Sequence, residues 1–146
     1  MRHFPSAALI AICCAAGPAV GQDDQVAILK TLSGTVTVVR NGGNLSATKG
    51  MALLKSDKLI SDAGASGGIV FADGTMFTAG PSSVIEIRNY VFEPRESRYA
   101  FSVYLARGTA IYSSGKIGRL APQSVEVNTP RATVGVRGTR FIVTAD

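Results

Sequence analysis

Beyond residue 21 the sequence contains no cysteine, no histidine and no tryptophan. Without imidazole or thiolate there is no Ser-His-Asp or Cys-His nucleophile, no zinc site of the usual nitrogen and sulfur kind, and no disulfide. Serine–lysine and two-carboxylate mechanisms stay chemically open. Long apolar runs are also missing. The longest, Ala7–Ala16, has ten residues, against the roughly 20 that a bilayer-spanning helix needs.

That run reads as the core of a secretory leader. Arg2-His3 supplies a basic start, Pro18 breaks the run, and Ala19 and Gly21 put small residues at the −3 and −1 positions of a cleavage site before Gln22. Cys13 and Cys14 fall inside the discarded segment, and Ile12 and Cys13, which precede them, do not suit lipoprotein processing. The expected mature chain has 125 of the 146 residues, is soluble and carries no transmembrane span. An exported domain without disulfides must draw its stability from its core. A chain of this size buries about two-thirds of its unfolded surface, enough for one domain.

Helical periodicity is absent as well. From Val26 onward apolar residues recur at period two, with Gly or Pro at short intervals. Val36 and Val38 alternate with threonine, Ile85 and Ile87 with Glu86 and Arg88, and Tyr99, Phe101, Val103 and Leu105 share one face. The expected fold is all-β: a single domain of short antiparallel strands and hairpins in stacked sheets, as a sandwich or a short solenoid-like roll. Residues 1–21 are the leader, 22–25 a disordered lead-in and 26–146 the β domain. Asp73-Gly74 predicts a two-residue type I′ hairpin that pairs Phe71 with Met76 and Val70 with Phe77, which makes both faces apolar and buried. Segments 41–44, 63–68 and 113–116 read as loops, and Pro94 and Pro130 as strand ends or edges. Near the C-terminus Val134 and Val136 are even-numbered whereas Phe141 and Val143 are odd. An extra residue in the strand, with Gly138 as the bulge, would explain the switch and turn Arg137 outward.

Several segments together resemble the FecR domain over about Gln25–Ala145. They are Ser33-Gly34-Thr35-Val36-Thr37-Val38 with Arg40, then Gly50, Asp57 and Leu59, then Phe71-Ala72-Asp73-Gly74-Thr75 and Ala106-Arg107-Gly108-Thr109. The closing run from Asn128 through Pro130, Gly138 and Thr139 to Phe141 is the most specific part. The resemblance implies an all-β periplasmic domain. In the best-known members it belongs to an inner-membrane regulator that receives a signal from an outer-membrane siderophore receptor and controls a sigma factor. This sequence departs from that plan, with no cytoplasmic sigma-binding segment and no membrane span ahead of the domain.

Other motifs have simpler readings. Six residues separate Gly108 from Gly115-Lys116, and Ile117 follows, whereas a phosphate loop needs four between its glycines and a Ser or Thr after the lysine. Asp57, Asp62 and Asp73 lack calcium-loop spacing and read as turn residues. Glu86, Glu93 and Glu96 alternate with Arg88, Arg95 and Arg98 as a solvated, salt-laced edge.

Charge is distributed unevenly. Residues 22–106 hold eight basic and eight acidic residues, whereas 107–146 hold six basic residues and two acidic ones. Arg107, Lys116, Arg119, Arg131, Arg137 and Arg140 thus form a candidate surface for an anionic partner: an envelope polymer, lipid headgroups or an acidic envelope protein. Nucleic acid is disfavoured by the exported compartment. No cofactor, metal or catalytic residue is expected. The functional expectation is an exported, non-enzymatic FecR-like module, a binding, sensory or scaffolding part of the cell envelope. Alternatives are a self-assembling or strand-adding structural protein and, further off, a carboxylate-based carbohydrate-active enzyme.

Overall fold

A computed structural model describes residues 25–136 and 140–146, and among them are twelve strands, one short α-helix and two 3-10 turns. The strands are β1 (Gln25–Ser33), β2 (Val36–Arg40), β3 (Gly43–Ser46), β4 (Ala52–Leu54), β5 (Lys58–Ser61), β6 (Ser66–Phe71), β7 (Met76–Ala79), β8 (Val84–Glu93), β9 (Arg98–Ser113), β10 (Val125–Asn128), β11 (Thr133–Gly135) and β12 (Arg140–Ala145). The helix, α1, is Lys116–Leu120. The fold is all-β, and Gln25, placed in the lead-in by the sequence, already belongs to β1.

One antiparallel ribbon is folded back on itself along a crease. Four long paths each run through one layer, turn a corner and continue in the other: β1 into β2, β5 into β6, β7 into β8, and β9 through its own bend. One layer runs β4-β1-β6-β7-β9-β12 and the other β3-β2-β5-β8-β9-β10-β11. All pairings are antiparallel except β10 with β9. The two layers enclose one core, in which Leu29, Val38, Leu59, Phe77, Ile85, Val103, Leu105 and Tyr112 are fully buried. Phe71 from one layer stacks on Tyr90 at 5.1 Å between ring centroids and meets Phe101 edge-on at 4.9 Å, a geometry that favours aromatic contact beyond area burial.

The alternation expected of β9 holds through Phe101, Val103 and Leu105 and then changes parity, so that Ala110 and Tyr112 are buried instead. The ladder slips by one residue between Val84 paired with Arg107 and Ile85 paired with Leu105, a bulge at the crease. Gly108 follows at φ +95°, where a Cβ would overlap Ser83. Val136 and Val143 are both buried, but the change of parity between them falls between two separate strands of different layers, β11 and β12, and not within one strand. Arg137, Gly138 and Thr139, on which the expected bulge fell, lie outside the described residues.

Three local expectations are corrected. The Asp73-Gly74 hairpin has a three-residue loop: Gly74 N–H donates to Phe71 O, and Phe71 N–H to Thr75 O, both at 2.9 Å. Only Gly74 takes positive φ, because Asp73 is held by bonds described below. The register therefore moves by one, setting Val70 opposite Met76 and Ile69 opposite Phe77. One face is buried, and Met76 on the other is half exposed. The type I′ geometry occurs instead at Asn41-Gly42, both of positive φ, between paired Arg40 and Gly43. Second, Ser66, Gly67 and Gly68 belong to β6, and the missing side chain at Gly68 leaves room for the Thr31 hydroxyl. Third, α1 begins at Lys116 inside a segment read as loop; one helical turn is too short to show a period of 3.6.

Candidate functional site

The sequence motifs converge on three internal ties. Asp73, 3% exposed, is the hub of the first. Its Oδ1 accepts from the Tyr90 hydroxyl at 3.0 Å and the Thr75 N–H at 3.2 Å, and its Oδ2 from the Thr75 hydroxyl at 2.6 Å and the Ile117 N–H at 3.0 Å. Its backbone takes part as well: the N–H donates to Tyr90 Oη at 2.8 Å, and the carbonyl accepts from Lys116 N–H at 3.0 Å. One residue thereby closes the β6–β7 loop, anchors Tyr90 of the opposite layer, and satisfies two of the orphan N–H groups at the start of α1. Burial, with the Asp73 carboxylate alongside, pushes the Tyr90 phenol far above its ordinary range. Burial also raises the Tyr112 phenol.

The second tie joins Arg40 to Asp57. Two hydrogen bonds link them, and Arg40 Nη2 also donates to Ala52 O at 3.0 Å while the Leu54 N–H reaches Asp57 Oδ2 at 2.8 Å. The bond to Asp57 raises the Arg40 pKa above its usual value. Asp57 thus does more than shape a turn.

Hydroxyls line the crease as the third tie. Ser61 Oγ donates to Gly80 O at 2.6 Å and accepts from Ser83 N–H at 2.9 Å. Ser83 Oγ donates to Thr109 O at 3.1 Å and accepts from Thr109 N–H at 3.0 Å. Among the described residues every buried side-chain nitrogen and oxygen has a partner.

Around the β8–β9 hairpin the charges lie on an exposed rim, as expected, with Arg98 reaching Glu93 at 3.1 Å and Glu96 at 3.6 Å; Glu86, 3.9 Å from Arg88, is instead half-buried in β8 between β5 and β9. Pro94 follows β8 directly and Pro130 lies in the β10–β11 turn, both at strand ends. Of the six candidate cations, Arg107, Lys116, Arg119, Arg131 and Arg140 are exposed, and Arg137 lies outside the described residues. The five fall into two groups. Arg140 pairs with Ser113 at the end of β9 that leads to Lys116 and Arg119. Arg107 is six residues back along β9 at the crease, roughly 20 Å measured along the strand. The β10–β11 turn carrying Arg131 follows toward the crease, because β10 runs parallel to β9 with Asn128 beside Tyr104.

No sequence motif marks a groove of about 850 Å³ that lies between the layers beside β12. Val125, Val134 and Val136 form one wall, Phe141 and Val143 the other, and Gln123 contributes an amide. Its residues come from three segments, 122–125, 134–136 and 141–144, which only tertiary pairing brings around one hollow. Among the described residues no three His, Cys, Asp or Glu side chains gather as a metal site would require, and no helix is long and apolar enough to cross a membrane.

A creased two-layer β domain whose motif acids and hydroxyls are spent on internal ties defines a class of all-β modules. The family model for FecR protein matches residues 57–146, more than half of the chain. The chain belongs to the FecR family. No curated protein and no solved structure matches it. The match starts at Asp57, so the Arg40–Asp57 tie binds the N-terminal strands to the matched region.

Proposed function

We propose that this protein is an exported, non-enzymatic FecR module that binds another component of the cell envelope through its surface, as a sensory or scaffolding part. The observation that carries the reading is the contrast between interior and surface. Asp57, Ser61, Asp73, Thr75 and Ser83, the buried polar residues, are each engaged in bonds that hold the fold. Charge available to a partner is on the outside, with Arg107, Lys116, Arg119, Arg131 and Arg140 exposed and in no ion pair among the described residues. The leader at residues 1–21 supports periplasmic delivery, where an acidic protein surface or an anionic polymer is the natural complement.

The test is affinity capture from envelope extracts with the mature domain, beside one variant neutralised at Lys116, Arg119 and Arg140 and another at Arg107 and Arg131. Capture of a discrete component, weakened by salt and by one variant more than the other, supports the proposal and assigns the face. Equal capture by all three proteins at every salt concentration would remove the cationic surface from the reading. Turnover of an envelope glycan that one carboxylate substitution abolishes would replace it with the enzymatic alternative.

A further inference from the structure

The two layers are unequal beyond the strand they share. Past β9, one layer continues with β10 and β11, whereas the other has β12 alone. The inner faces of β10 and β11 therefore overhang a place where a strand is missing, and the groove of about 850 Å³ is that place. Its volume is in the range of built ligand sites, about 300–1,000 Å³.

The strand bordering the gap is open. β12 pairs with β9 on one side only among the described residues. At six residues it is longer than the other end strands β3, β4 and β11. Arg140 is its only charged residue and it has no proline, so from Phe141 to Ala145 neither of these two guards of a sheet edge is present. Its side chains alternate, with Val143 buried and Ile142 67% exposed. Arg140 stands exposed at its first position, on the same outward side as Ile142 and Thr144.

We propose that this groove accepts one extended strand donated by a partner protein, hydrogen-bonded to the open edge of β12. The added strand alternates apolar residues, turned inward against Val125, Val134 and Val136, with polar ones turned outward. It carries a carboxylate on the outward face opposite Arg140, where a cross-strand pair of opposite charge is favourable. Main-chain bonds supply affinity in such additions, and the alternate pockets supply selectivity. A second copy of this chain fits less well. Pairing β12 with β12 would place two strands in one layer opposite the four of β10 and β11 from both copies, and the overhanging strands would collide. The proposal rests on the binding function above only in taking the partner to be a protein.

The probe is a synthetic peptide of alternating valine and threonine with glutamate at one end, observed through amide hydrogen exchange of the whole mature domain. At about millimolar peptide, exchange should slow at outward-pointing amides of residues 140–145. Peptide N-methylated along one edge should lose this effect, while methylation along the other edge should leave it. Arg140→Glu should shift preference to a lysine-ended peptide, by about tenfold or more. Unchanged exchange over β12 at that concentration, or indifference to which edge is methylated, overturns the proposal. Protection of β12 without peptide, together with a dimer in sedimentation, also overturns it and assigns the edge to a second copy. Envelope capture that succeeds while β12 stays unprotected leaves the binding function standing and removes only the strand site.

Discussion

The Arg40 guanidinium grips the Asp57 carboxylate with two bonds, Nε to Oδ1 at 3.0 Å and Nη2 to Oδ2 at 2.6 Å. The acid is almost wholly buried, and the arginine side chain is 26% exposed. Arg40→Met leaves that carboxylate inside without its cation and should cost about 3 kcal/mol, at the low end for breaking a buried pair because Arg40 reaches solvent. A urea titration should show a lower midpoint at constant slope. Adding Asp57→Asn to Arg40→Met should recover part of the loss, since the unpaired charge is then gone; simple additivity of the two would deny the coupling.

Asp73 links two layers and a helix, so its removal should be felt locally and globally. Asp73→Ala strips acceptors from Tyr90, Thr75 and Ile117 together and should cost about 3 kcal/mol, from several buried donors left unsatisfied. Amide exchange at Ile117 should accelerate more than exchange in β5. Uniform acceleration would mean that α1 does not depend on this cap.

Alkaline pH should weaken the fold through Tyr90. The folded state keeps that phenol protonated above the pH at which the unfolded phenol ionises. Folded protein then binds more protons, and stability falls as pH rises past about 10. Tyr90→Phe should be less stable at neutral pH by about 1–3 kcal/mol, because Asp73 N–H loses its acceptor. Its further decline above pH 10 should be shallower than the wild type's. Parallel curves in chemical denaturation would contradict this assignment.

Two glycines of similar φ should respond differently to alanine. Gly74, at +88°, has nothing within 4 Å of an added Cβ, so Gly74→Ala should cost about 1–2 kcal/mol from backbone strain alone. Gly108, at +95°, would drive a Cβ into Ser83, with Ser83 Cβ at 2.7 Å. Gly108→Ala adds overpacking of about 1–3 kcal/mol to that strain. Thermal midpoints of the two variants check the order, and equal losses would show that the crease yields.

The sequence by itself determined the class of fold, because alternation is a local property. Val36 and Val38, Ile85 and Ile87, and Phe101 through Leu105 are buried where period two puts them, since successive side chains on any strand point to opposite faces. Backbone freedom was legible at Gly74 but its register was not. The Asp73 carboxylate is held by Tyr90, 17 residues away, and by the Ile117 amide, 44 residues away, and these distant bonds chose the loop geometry over local turn preference. Asp57 could be read as a turn residue, yet nothing near it announces Arg40. Tertiary structure alone also split the C-terminal cations into two groups and opened the groove. Both follow from which layer each strand joins after β9, and no local pattern encodes that, because pairing partners are selected by the packing of the whole core.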